Sequence, residues 1–511
     1  MHTRSLFVYL CTLFAFVSLS TADIQKRSFS VSRVPNPNFT GRNGPRALVK
    51  AYRKFLMPLP DGLVAAMEAQ DKKKGAQQAK RSPLKLREPK RRGLLSDLLS
   101  DLGLGGNTAG NAAGNQGGNR NNGNQGGNQV GNQGGNQAGN QGGNQVGNQG
   151  GNQIGNQNGG QGGNRNNGNG GQISTNTTSL ATNQTGAVEA KPEKNEAEFI
   201  SPVKIGGQMV NLDFDTGSSD LWVFSTQLNP ALTNGHRVYD PSQSRTFRPM
   251  QGAQFRIKYG DGSQAVGNVG LDVVDVGGAS FPQQAVQMAT AVSDQFARDQ
   301  NNDGLMGLAF SSINTVKPQQ QRTFFDNVKG SLAEPVFTAD LRKGSSGTYT
   351  FGSIDKSRFQ GPLTWIPVNN TKGFWQFTSE SFAVNGGQPQ PASSGGQAIA
   401  DTGTSLMLAD PKMVMAYYAQ VQGARNNAQM GGFTFPCNAQ LPDLDVDVGG
   451  VYMAKVFGKD VNFAEVGNGE CFGGVQVSPS PKFAIYGDIF FKSQFVVFNA
   501  GNNSLGMAPH A

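Results

Sequence analysis

Leu212-Asp213-Phe214-Asp215-Thr216-Gly217-Ser218-Ser219-Asp220-Leu221-Trp222-Val223 is the stretch on which the reading of this chain turns. Val210, Leu212 and Phe214 alternate as a buried strand does, and the strand delivers Asp215 into a tight turn containing glycine. A second copy follows at Ala398-Ile399-Ala400-Asp401-Thr402-Gly403-Thr404-Ser405-Leu406-Met407. Two such turns in one chain predict a single site assembled from both. A further repeat supports two diverged halves. Gly304-Leu305-Met306-Gly307-Leu308 places Gly307 92 residues after Asp215, and Ile485-Tyr486-Gly487-Asp488-Ile489 places Gly487 86 residues after Asp401.

Two aspartates facing one another at close range cannot both ionise freely, so the pair shares a proton and one apparent pKa rises. One residue type then supplies an acid and a base. The ionised carboxylate can take a proton from a water held between the two, the water attacks a peptide carbonyl, and the protonated partner polarises the carbonyl oxygen. Gly217 and Gly403 permit close backbone approach and offer N–H groups, while the hydroxyls of Ser218 and Thr404 can orient the carboxylates. Competing chemistries lack their residues. Of the three histidines, His2 lies in the leader, His510 is next to the end, and His236 sits in a polar stretch without a nucleophile elbow. A zinc hydrolase would need a His-Glu-x-x-His pattern, so no metal and no cofactor are expected.

Outward from these turns the chain divides by composition. The net charge of +9 combines a basic front, with 21 Lys/Arg against 7 Asp/Glu in residues 1–185, and a mildly acidic remainder with 23 against 28. An acidic body without a basic-aromatic motif carries no footprint for nucleic acid. Residues 1–22 join Arg4, an apolar run from Leu6 to Val17, and small residues Ser20 and Ala22, which reads as a secretory signal. No later stretch is apolar enough to span a bilayer, so no membrane partner and an extracellular destination are expected. Cys11 leaves with the signal, and Cys437 and Cys471 remain as an even pair.

Residues 23–186 read as a proregion. Phe29–Arg33 alternates as a short strand, and Ala47 to Met67 carries a helical stripe at Leu48, Ala51, Phe55, Leu63 and Met67, interrupted by Pro58 and Pro60. Lys26-Arg27, Lys80-Arg81 and Arg91-Arg92 are dibasic pairs open to processing. Residues 105–172 iterate Gly, Asn and Gln, without the apolar surface needed to offset the entropy of ordering, and read as an expanded spacer. From Phe199 onward short alternating runs and Gly-rich turns predict an all-β body, including strands over Phe255–Tyr259, Thr348–Phe351, Thr364–Val368 and Ser493–Phe498. Short helices are expected over Gln321–Lys329 and Pro411–Val421. The body is divided into lobes over 187–362 and 363–511.

These residues resemble the pepsin-type aspartic proteases, most closely the secreted fungal acid proteases of the aspergillopepsin and penicillopepsin kind. The carriers are Asp-Thr-Gly-Ser-Ser with Asp220-Leu221-Trp222-Val223, the second Asp-Thr-Gly-Thr-Ser, and Lys258-Tyr259-Gly260-Asp261-Gly262-Ser263. The resemblance covers Thr185 to Ala511 and the proregion to Met67. It implies a bilobal all-β fold with a cleft between the lobes and catalytic Asp215 and Asp401. It also implies a β-hairpin flap carrying Tyr259, Gly260, Asp261 and Ser263 over the substrate, and Trp222 bonding Tyr259 through its indole nitrogen. Gly217, Gly403 and Thr404 would contact substrate. By the same resemblance Gly307 and Gly487 pack behind the turns, Cys437 and Cys471 form the carboxy-terminal disulfide, and Asp261 admits lysine before the cut bond beside a bulky apolar preference. The expected protein is a monomeric secreted endopeptidase acting on proteins and peptides, held inactive by its own proregion. An inactive peptide-binding protein of the same fold is the alternative. Asn38, Asn176, Asn183, Asn369 and Asn502 open N-glycosylation triplets.

Overall fold

The structure, a computed structural model, describes residues 43–55, 57–60, 62–70, 72, 183–192, 198–259, 263–480 and 483–511. The leader, Phe29–Arg33, the dibasic pairs, the Gly/Asn/Gln tract, and Gly260 and Asp261 lie outside the described residues.

Strand Gln208–Asp215 buries Val210, Leu212 and Phe214, as its alternation requires. It turns back on strand Phe199–Ile205 through Gly206 and Gly207, whose φ values of 54° and 86° suit a two-residue hairpin. On its other edge it runs parallel to Gly304–Gly307, with Asp215 opposite Gly307, and that same strand takes Leu221–Phe224 antiparallel. The carboxyl-terminal end of a strand thus launches Asp215 into the turn, and the chain re-enters the same sheet directly afterwards. The second half repeats the device: Gln397–Ala400 runs parallel to Ala484–Tyr486, which takes Met407–Ala409 antiparallel.

Strand Gly304–Gly307 belongs to a 13-stranded sheet, and Ala484–Tyr486 to a five-stranded one. Among the described residues two four-stranded sheets complete the body, so the architecture is all-β as expected. The large sheet also crosses the middle of the chain, because Gln494–Asn499 pairs with Val336–Asp340 and Ser504–Pro509 pairs with Thr364–Pro367. Its central pairing includes Gly186–Pro192 against Gly347–Phe351. The expected lobe start at 187 therefore falls one residue inside a strand. Phe214, Tyr349, Phe351, Phe337 and Phe498 stack through the core and join the two halves. Each fully buried ring of this kind contributes on the order of 2 kcal/mol.

The expected helices occur as Phe324–Val328 and Pro411–Ala419, each opened by a side-chain cap from Thr323 or Asp410. Helix Gly44–Lys54 likewise begins with Asn43 Oδ1 accepting from Arg46 N. It buries Leu48, Val49, Ala51 and Tyr52. Residues 57–60, with Pro58 and Pro60, lie outside any helix or strand before residues 63–70 turn helical again, so the interruption falls where the prolines place it. Cys437 and Cys471 are bonded across a separation of 34 residues. In the chain-closure picture that loop is worth about 3 to 4 kcal/mol.

Candidate active site

The two Asp-Thr-Gly turns meet face to face. Thr216 N donates to Thr402 Oγ1 at 3.2 Å and Thr402 N to Thr216 Oγ1 at 2.9 Å. Each hydroxyl then reaches past its partner: Thr216 Oγ1 donates to Ala400 O at 2.8 Å and Thr402 Oγ1 to Phe214 O at 2.6 Å. Every polar atom of these buried threonine hydroxyls is used across the junction, which fixes the two strands against each other.

This clasp sets the carboxylates. Gly217 N donates to Asp215 Oδ1 at 2.8 Å and Ser218 Oγ to Asp215 Oδ2 at 2.6 Å. In the other turn Gly403 N donates to Asp401 Oδ1 at 3.1 Å and Thr404 Oγ1 to Asp401 Oδ2 at 2.5 Å. The glycines are required by contact. A Cβ on Gly217 would lie 2.4 Å from Asp401 Oδ1, and one on Gly403 would lie 2.3 Å from Asp215 Oδ1. Behind the turns a Cβ on Gly307 would come 2.5 Å from Asp220 N, and one on Gly487 2.1 Å from Thr404 O.

Between the carboxylates stands Lys54, the last residue of helix Gly44–Lys54. Its Nζ lies 2.7 Å from Asp215 Oδ1 and 2.7 Å from Asp401 Oδ1, with Asp401 Oδ2 at 3.0 Å. All three side chains are at least 95% buried. Burial pushes the Asp215 carboxyl up, but the Lys54 ammonium and the bonds from Ser218 and Gly217 outweigh it and hold the group below its usual range. Burial, reinforced by the neighbouring Asp215 charge and opposed by Lys54, leaves Asp401 raised. The same fold thus moves two identical groups in opposite directions.

Other contacts carry the segment around helix Gly44–Lys54 across the site. Lys50 Nζ pairs with Glu198 Oε1 at 2.6 Å, and Tyr52 Oη donates to Val477 O at 2.5 Å. Phe55 packs edge-on against Phe374 and Phe483, with ring centres 5.8 Å away in each case. Glu198 is half-buried, and Lys50 leads the contacts that overcome its desolvation and lower its carboxyl.

On the amino-terminal side, hairpin strands Arg248–Lys258 and Gln264–Val276 bring Tyr259 and Ser263 together, Tyr259 N donating to Ser263 O at 2.8 Å. Trp222 Nε1 donates to Tyr259 Oη at 2.8 Å. Asp220, two residues before Trp222, is buried and accepts from Gln287 Nε2 and Thr315 Oγ1, each at 2.7 Å.

Sequence reading brings out Asp215, Asp401, both glycines and both hydroxyl partners, and the structure gathers them at one point. It passes over Lys54, Thr216 and Thr402. The threonines carried a signal, since they are the middle residue of a repeated triplet. Lys54 carried only its position at the end of an apolar helical stripe in a segment crowded with other lysines and arginines.

A family model described as eukaryotic aspartyl protease matches residues 198–510. Penicillopepsin-1 of Penicillium rubens is 51% identical over 328 residues, 64% of this chain and 81% of that protein. Aspergillopepsin-1 of Aspergillus fumigatus is 48% identical over 333 residues, 65% of this chain and 83% of its own length. Aspergillopepsin-1 of Aspergillus oryzae is 49% identical over 328 residues, 64% and 80% of the two chains. With this likeness, an all-β body and a pair of buried carboxylates in duplicated turns, the chain belongs to the eukaryotic aspartyl protease family and is an aspartic-type endopeptidase.

Proposed function

We propose that Asp215 and Asp401 are the catalytic pair of a secreted acid endopeptidase, and that residues 43–72 are its intramolecular inhibitor. The observation that carries this reading is the placement of Lys54 Nζ 2.7 Å from an oxygen of each carboxylate. The ammonium occupies the point from which one atom reaches both acids, where the attacking water belongs once the segment leaves. With water there, the ionised carboxylate takes its proton, the oxygen adds to the peptide carbonyl, and the protonated carboxyl polarises the carbonyl oxygen. The leaving nitrogen then receives a proton and the C–N bond breaks. Ser218, Thr404 and the glycine N–H groups hold the carboxylates in register, while Trp222 and Tyr259 steady the hairpin over the cleft.

Acid should release the inhibitor. Asp215 and Glu198 are both held low in the docked state, burial being outweighed chiefly by Lys54 and Lys50 respectively. A carboxyl depressed by docking stabilises the docked form above its undocked pKa, and that stability is lost as pH falls through the docked value. The precursor should therefore stay latent near neutrality and open in acid, with the new amino terminus falling between Thr185 and Ala190, at the start of strand Gly186–Pro192. The lobes of the enzyme are taken as 187–362 and 363–511, and its destination as extracellular.

Incubating the precursor over a pH series and sequencing the new amino terminus tests this. Activity should appear only in acid, and Lys54→Met should make the precursor bind a transition-state analogue near neutral pH, since removing one member of a buried ionic cluster costs about 3 to 5 kcal/mol. A Lys54→Met precursor as latent as the wild type would sink the assignment.

The substrate preference follows the same cleft: bulky apolar residues flanking the cut bond, with lysine accepted before it if Asp261 offers an ionised carboxylate. Asp261→Asn should lower cleavage after lysine relative to phenylalanine by about tenfold, the value of one charge-assisted bond. An unchanged ratio in a cleavage-site profile would remove Asp261 from the assignment.

A further inference from the structure

His236 has no part in the chemistry above, yet its ring is fully buried in an unusual setting. Its Nδ1 lies 3.0 Å from Asn302 O and its Nε2 lies 3.3 Å from Ala297 O. Both neighbours are carbonyl oxygens, which only accept. A neutral imidazole has one N–H and would leave its other nitrogen lone pair facing a carbonyl; only the imidazolium can donate to both. One further contact favours the positive form, the face of an aromatic ring. The ring stacks on Phe224 with centroids 3.8 Å apart, and Asp303 Oδ1 lies 3.9 Å from Nδ1.

The two carbonyls bracket a segment with consequences for the cleft. Ala297 belongs to the short helix Asp294–Arg298, which also carries Phe296. Phe296 meets the ring of Trp222 at 4.8 Å and that of Tyr259 at 5.5 Å, both edge-on. Trp222 and Tyr259 are the hydrogen-bonded pair at the base of the hairpin. A ring that ties residues 297 and 302 together therefore braces the wall behind Tyr259.

We propose that His236 is a positioning residue of the protease: doubly protonated, it clamps the carbonyls of Ala297 and Asn302 and so holds Phe296 against the Trp222–Tyr259 pair. This rests on the reading of the Asp215–Asp401 cleft as the catalytic one. Burial opposes the second proton and holds the imidazole below its usual range, while the two carbonyl bonds pull it upward. The clamp therefore closes only as the solution becomes acidic. The groups that face it are few. Asp303 is raised to about 7 by burial against the bonds from Asn211 N and Arg237 N, so it grows more neutral as His236 gains its proton. The Arg237 guanidinium turns away to Asn211 Oδ1 at 3.3 Å. Glu198, paired with Lys50, touches Asn302 Nδ2 at 3.5 Å, and the Asp294–Arg298 pair lies on the exposed side of the helix.

Histidine-selective carbon-13 labelling reads the proton directly. The full chain holds three imidazoles, His2, His236 and His510, and carrying Asp401→Asn keeps it from processing itself. With His2→Gln and His510→Gln assigning the other two, the His236 signal should titrate in acid with a midpoint below the usual value of about 6.5. A signal that stays flat between about pH 3 and pH 7 would overturn the clamp. The second arm uses acid-activated enzyme and a peptide substrate. Wild-type KM should rise about fivefold as pH climbs through the His236 midpoint, the worth of one net hydrogen bond. His236→Gln, which neither titrates nor donates to both carbonyls, should show the higher KM at every pH, with kcat within about twofold. A His236→Gln profile that superimposes on the wild type would also overturn it. If the activated chain cleaves no peptide at all, the catalytic reading fails while the carbon-13 titration still decides the clamp.

Discussion

The turn at Asp215 and the turn at Asp401 are close copies in geometry and opposites in electrostatics. Each carboxylate accepts a backbone N–H from the glycine two residues on and a hydroxyl three residues on. Each glycine faces the other turn's aspartate with no room for a methyl group. Yet Asp215 is lowered and Asp401 raised, because once one carboxyl is ionised beside Lys54 the other feels its charge in addition to burial. Local sequence therefore makes two equivalent acids, and shared burial around Lys54 makes them different. An acid and a base need not come from different residue types.

The sharpest way to break this comparison is to neutralise one member at a time. Asp215→Asn and Asp401→Asn should each lower kcat on a peptide substrate in acid by about 10⁴-fold, the upper range of general acid–base catalysis. The two losses should be alike, since neither carboxyl can serve as both donor and acceptor alone. A variant retaining a tenth of the activity would show that one aspartate is dispensable.

A smaller effect tests whether the closeness matters. Gly217→Ala and Gly403→Ala each drive a methyl group against the opposite carboxylate. A displacement on the order of 1 Å in the reacting groups costs about 10²-fold in kcat, with thermal stability read alongside to separate loss of fold from loss of geometry. Equal losses would support a symmetric site; an unaffected enzyme would show that the two turns stand further apart in the active form.

The finest test uses the hydroxyl partners. Ser218 Oγ stabilises the ionised form of Asp215, and Thr404 Oγ1 does the same for Asp401. Removing either takes away a charge-assisted bond to the ionised form and so raises its carboxyl's pKa. On the proposed pairing, with Asp215 as the ionised base, Ser218→Ala should move the low-pH limb of the rate profile upward. With Asp401 as the protonated partner, Thr404→Val should move the high-pH limb upward. One variant narrows the active range and the other widens it. Shifts of the same limb in both would reverse or merge the assignments.

Much of this was legible before any coordinates. Alternation at Val210, Leu212 and Phe214 gave a strand, and the glycine after each Asp-Thr gave a turn, because both are set by local sterics. Pro58 and Pro60 marked where the helical stripe must stop, as proline lacks the N–H a helix needs. Thr216 and Thr402 could be seen as repeated but not as partners, since their bonds join residues 186 apart.

By itself the sequence determined the all-β body, the duplication, the two carboxylates and the residues beside each, all through interactions spanning a few positions. Only the tertiary structure decided that Lys54, among the many cations of the front segment, occupies the shared point between them, and that His236 stands between the carbonyls of Ala297 and Asn302. Which distant groups meet depends on how whole sheets and one helix pack, and the energy of a charge or a proton depends on that burial and company rather than on its neighbours along the chain.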